Sequence, residues 1–177
     1  MDFTTSTFQT LLESLQQQGF SFQTFAEYIE QQKEKTVILR HDVDRLPYNA
    51  LKTAQIENES GIKGSYYFRI IPESFNETVI KKIAGLGHEI GYHYEDLTIS
   101  KGNIDKAYDS FCGNLEKLQK LYSVKTICMH GSPISKWDSR DIWKKYDYKK
   151  LGIIGEPYFD IDFNNVFYLT DTGRCWD

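Results

Sequence analysis

Apolar residues recur along this chain with two different periods, and the alternation between the periods predicts the fold. In the first 35 residues, Phe8, Leu11, Leu12 and Leu15, then Phe22, Phe25, Tyr28 and Ile29, follow helical spacing on either side of the breaker Gly19, and a charged QQKEK stretch closes the segment. A small helical cap over residues 1–35 is the expectation. The apolar run TVILR at 36–40 predicts a strand buried on both faces, and it passes directly into His41, Asp42, Val43 and Asp44. Pro47 suits the first turn of a helix reaching about residue 60, and Gly61 stops it. The unit then repeats. GSYYFRI at 64–70 predicts a strand, 75–87 a helix, HEIGY at 88–92 a short strand ending at His93, 104–122 a long helix, and 125–129 a strand leading to His130. Beyond Pro133 the pattern weakens to a helix near 138–144 and short strands around Ile153 and at 166–169. Strands alternating with helices of this length predict an α/β fold of βαβ units around a parallel sheet, open or closed into a barrel.

Composition narrows this picture. A chain of 177 residues with 40% hydrophobic positions buries a real core and suits one domain, the cap at 1–35 and the α/β part at 36–177 belonging together. A net charge of -4 gives no basic surface for phosphates, so no nucleic-acid partner is expected. No apolar run approaches the roughly 18–20 residues that cross a bilayer, and the N-terminal stretch has no basic n-region. No membrane partner and a cytoplasmic location are the expectations. Cys112, Cys128 and Cys175 are odd in number and lack a CxxC pair, which argues against a disulfide framework or a thiolate zinc site and for ordinary buried thiols. Aromatic residues make up 15% of the chain, enough for a heavy core or for a surface that stacks on sugars.

Candidate chemistry follows from where polar residues fall. Parallel α/β folds bind ligands beyond the carboxyl ends of their strands. Of four histidines, His41, His93 and His130 stand at predicted strand ends, whereas His88 begins its strand at the opposite edge. Imidazoles mixed with carboxylates suit a catalytic divalent metal with one position open to water. Asp42 and Asp44, two apart in an extended segment, point to the same side, so one can hold the metal and the other handle a proton. The plainer alternative makes Asp44 the cap of the following helix. Gly131, Ser132 and Pro133 after His130 describe a tight turn whose backbone amides can face a ligand, or simply a loop.

At these residues the chain resembles a known family. TVILRHDVD at 36–44 is similar to the first motif of the polysaccharide deacetylases, the NodB-type carbohydrate esterases, and GLGHEIGYHYEDL at 85–97 is similar to their second. The resemblance spans about residues 36–133, and GLGHEIGYH is its specific part. It implies a distorted (β/α) barrel of NodB type and a metal-dependent hydrolase that removes an acetyl group, as amide or ester, from a carbohydrate-like partner, an enzyme acting on carbon–nitrogen bonds. By position it makes Asp42 the general base and Asp44 and His93 metal ligands, the cofactor being zinc, with cobalt or manganese as alternatives. Two departures change the site. Leu97 occupies the place of the family's second histidine, so His130, with Asp96 and Glu95 behind it, is expected to complete the ligand set. No histidine follows His130, which leaves His41 or His130 to protonate the leaving group. Tyr92, Tyr94 and Trp137 are expected as walls for a sugar ring, and Gly131 and Ser132 as oxyanion donors. The rival expectation is a degenerate domain that binds metal or glycan without turnover. The ending TDTGRCWD, directly after FYL, predicts an incomplete barrel with an exposed edge strand.

Overall fold

A computed structural model describes residues 4–132 and 134–170. Pro133, Cys175 and the segment after Thr170, on which part of the sequence reading fell, lie outside the described residues.

Helix α1, Thr5–Gln17, starts behind Thr4, whose hydroxyl accepts from the Thr7 amide, and it buries Leu12. The helix expected to begin at Phe22 starts later, because 21–23 is a strand. In β1, Ser21–Gln23, Phe22 pairs with Val37 of the parallel strand β2, Thr36–Ile38. Thr24 then forms a capping box with Glu27 and starts α2, Phe25–Glu30. The predicted strand 36–40 breaks at Leu39, and β3, Arg40–Val43, carries His41 and Asp42 inside the strand rather than past its end.

The βα units follow: α3 Pro47–Glu59, β4 Ser65–Phe68, α4 Glu77–Gly85, β5 Glu89–Tyr94, the single turn α5 Asp96–Ile99, α6 Ile104–Gln119 and β6 Ile127–Met129. Strands β3-β4-β5-β6 pair in that order, all parallel, into an open, incomplete half-barrel. Beyond it come 3-10 turns at Ser139–Lys144 and Tyr148–Leu151, and α7, Pro157–Asp160. The strand expected around Ile153 reduces to one bridge between Thr126 and Gly155. Residues 166–169 form no strand, and Phe167, Tyr168 and Leu169 are exposed.

Side chains alternate across each strand, which divides the sheet into two unlike faces. Val43, Tyr66, Phe68, Ile90, Tyr92, Tyr94 and Ile127 face the helices and build the main core with Ile80, Ile83, Phe111 and Leu115. The opposite face carries Arg40, Asp42, Ser65, Tyr67, Glu89, Gly91, His93 and Cys128, and is polar. At its N-terminal end the Glu89 carboxylate is buried. It accepts from the Ala26 amide at 3.1 Å, from Ser65 Oγ at 2.7 Å and from Thr126 Oγ1. Burial pushes its pKa up against these donors. The N-terminal segment thus seals one end of the half-barrel, and Gly91 explains how the middle closes. A Cβ at Gly91 would overlap the Tyr67 ring and stand 2.9 Å from the Thr126 carbonyl, so glycine lets the ring cross the strand. Among the described residues no helix is long and apolar enough to cross a membrane.

Candidate metal centre

The C-terminal ends of β3, β5 and β6 bring three side chains together. Asp44 Oδ1, His93 Nε2 and His130 Nδ1 stand 3.0, 3.2 and 3.6 Å from one another. Ligand atoms of a tetrahedral zinc ion, each about 2.0–2.1 Å from the metal, lie about 3.3 Å apart, so the triangle has the right size.

Local structure prepares each donor. His93 is 2% exposed, and its Nδ1 lies 2.9 Å from the Cys128 carbonyl. A carbonyl only accepts, so Nδ1 carries the proton and Nε2 offers its lone pair. Burial first, then the neighbouring His130, holds the His93 pKa below its ordinary value despite Asp42 and Asp44, which keeps the ring neutral as a ligand must be. The His130 amide donates to the Tyr94 carbonyl at 2.8 Å, extending the β5–β6 ladder by one residue and fixing the ring beside His93. Asp44 does not cap α3: Leu46 is the residue before that helix, in left-handed conformation with φ 54°, and it makes no side-chain cap. Its Oδ1 is instead sealed from solvent without a hydrogen bond, although His130 Nδ1 is 3.0 Å away. Burial works to raise the Asp44 pKa, but His130, His93 and Arg69 outweigh it and leave the carboxyl below its ordinary value. An unpaired, ionised oxygen facing two imidazole nitrogens is a donor set a divalent cation fits.

Asp42 stands at the rim. Its Oδ2 is 3.9 Å from His93 Nε2 and 3.2 Å from the Arg40 guanidinium. Cys128, read from sequence as an ordinary buried thiol, lies with Asp42 and His93 in a second group of donors whose ligand atoms are all within 4.8 Å of one another. Nothing local marks that role; it follows from the register that pairs His93 with Cys128.

Other expected residues go elsewhere. His41 points to the helix face, where its Nε2 meets Glu57 at 2.6 Å and its ring stacks on Tyr66 at 4.4 Å, so it does not join this cluster. Asp96 is buried and taken by Tyr92 Oη at 2.7 Å, Ser110 at 2.6 Å and Asn114 at 3.1 Å, which removes it as a ligand. Glu95 is held by the Arg69 guanidinium through its Oε1, while its Oε2 lies 3.9 Å from His130 Nε2. Tyr92 and Tyr94 are buried in the core against Phe111, not walls of a cleft, because they flank His93 in the strand and must face the other way. Trp137 lies over Gly102 and packs with the small cluster of Leu97, Ala107 and Ile142. Gly131 is exposed and Ser132 half-buried, with open space beside Gly131.

No family model, no curated protein and no solved structure matches this chain. The fold and the cluster stand on their own: an open α/β half-barrel whose strand ends gather aspartate, histidine and cysteine able to coordinate a metal ion.

Proposed function

We propose that this chain is a metal-dependent hydrolase that removes an acetyl group, as amide or ester, from a carbohydrate-like substrate. The observation that carries the reading is the triangle of Asp44 Oδ1, His93 Nε2 and His130 Nδ1 with Asp42 3.9 Å from its central nitrogen. Asp44, His93 and His130 would hold the cation, zinc fitting best and cobalt or manganese also suiting the donor types. A divalent ion there supplies Lewis acidity to an acyl oxygen and lets water ionise near neutral pH. Asp42 takes the proton of the attacking water. Since His41 is committed to Glu57 and His130 to the ligand set, Asp42 then returns that proton to the leaving nitrogen or oxygen. Gly131, exposed and next in the chain after His130, would supply a backbone amide to the oxyanion. The sugar-like substrate rests on the resemblance of the HDVD and GHEIGYH segments to the deacetylases.

Binding without turnover is the second reading, favoured by one observation: among the described residues no uncommitted histidine stands beside the centre to act as acid. Assay of N-acetylated sugar oligomers with zinc-, cobalt- or manganese-loaded protein separates the two. Turnover that falls about 100-fold or more in Asp42→Asn, with metal content unchanged, supports the hydrolase. Metal-loaded, folded protein without turnover on acetylated amides and esters rejects it.

A further inference from the structure

Two donor groups share His93: Asp44 with His130 on one side, and Asp42 with Cys128 on the other. We propose that Cys128 is itself a ligand of the centre, so that the site selects a thiophilic divalent ion such as zinc, cobalt or cadmium over magnesium.

Cys128 is fully buried on the polar face of the sheet, beside His93 in register across the β5–β6 pair. Its thiol reaches the Met129 carbonyl at 3.8 Å and is hydrogen-bonded with Asp42, so it already faces the carboxylate of its own donor group. Its backbone carbonyl fixes the His93 ring, so main chain and thiol of one residue address the same imidazole. A sulfur at about 2.3 Å and a nitrogen at about 2.0 Å from one ion stand closer together than the 4.8 Å that bounds this group, so binding draws the side chains inward. The thiol proton leaves to solvent as the metal–sulfur bond forms. Nearby, the half-buried Arg40 guanidinium, 3.2 Å from Asp42, offsets the negative charge that a thiolate and a carboxylate bring together. Hard cations prefer oxygen and lose nothing by avoiding sulfur, whereas borderline and soft ions gain a strong donor.

The inference rests on the metal-centre reading, and the test separates the two. Cobalt(II) is titrated into the full chain in a Cys112→Ser, Cys175→Ser background and followed by absorption. A ligand-field spectrum together with a near-ultraviolet sulfur-to-cobalt charge-transfer band is expected, and Cys128→Ser is expected to abolish the charge-transfer band while the ligand-field bands persist. Ligand-field bands without charge transfer in the parent overturn the cysteine assignment and leave the metal centre standing. Absence of both overturns the metal centre and the cysteine with it. Should Cys128→Ser fail to fold, X-ray absorption of the zinc-loaded parent decides: a sulfur shell at about 2.3 Å is expected, and only nitrogen and oxygen near 2.0 Å overturns the proposal.

Discussion

Asp44→Ala and His93→Ala remove different things from one centre. Asp44 contributes a buried oxygen with no hydrogen-bond partner, so its loss is expected to weaken zinc binding beyond the roughly 10–100-fold typical of outer-shell partners while leaving apo stability unchanged or slightly higher. His93 also donates to the Cys128 carbonyl, so its loss is expected to weaken binding equally and to cost about 1–3 kcal/mol of stability. Calorimetric zinc titration beside urea denaturation of the apo proteins checks both. His88 behaves differently. Its Nδ1 accepts from the Gly64 amide at 3.0 Å and its Nε2 donates to the Ala54 carbonyl, an arrangement only the neutral ring satisfies, and burial keeps its pKa below the ordinary value. The unfolded chain therefore takes up that proton first as pH falls through about 6.5, and stability declines from there down to the lower folded pKa. His88→Gln is expected to make the decline shallower in denaturation series on either side of that pH. At this scale the gathering of Asp44, His93 and His130, with Asp42 at the rim, was legible from position along the strands. Cys128 was not, since register between strands has no local signature. The tyrosines flanking His93 could have been placed in the core by alternation alone.

Elements were legible in kind more than in extent. Pro47 marks the start of α3, and every βα unit from β3 to β6 follows the apolar pattern. The first strand was missed because Phe22 and Phe25 mimic helical spacing, although Thr24 and Glu27 carry the capping signal that places the helix start three residues later than the pattern suggests. The stretch at 166–169 misled more, since Phe167, Tyr168 and Leu169 are exposed rather than packed in a strand. Within β5, Gly91 is the element's weak point by design of its neighbour: the Tyr67 ring needs the space. Gly91→Ala is expected to cost about 1–3 kcal/mol and to weaken zinc binding by displacing His93 two residues on, and adding Tyr67→Leu is expected to recover part of both. Thermal melts and zinc titrations of the single and double variants measure the recovery.

At the scale of the molecule, the N-terminal segment is joined to the half-barrel through buried polar groups. The Phe25 amide donates to Ser65 Oγ at 2.8 Å, and β1 pairs β2 along its whole length. A chain starting at Thr36 is expected to deprive the buried Glu89 of the Ala26 amide and Ser65 of the Phe25 amide and to be insoluble or molten, as near-ultraviolet circular dichroism would show. The outer side of β6 carries a further consequence. There the Ile127 amide donates to the Gly155 carbonyl at 3.1 Å and the Met129 amide to Glu156 Oε1 at 2.9 Å, so a carboxylate occupies the seat that a carbonyl of a fifth strand would take. Glu156 works as a counterfeit neighbour that keeps foreign backbones from docking. Glu156→Ala should turn a well-behaved solution into one whose light scattering climbs with concentration, and Glu156→Gln, which retains an oxygen in that seat, should stay clear.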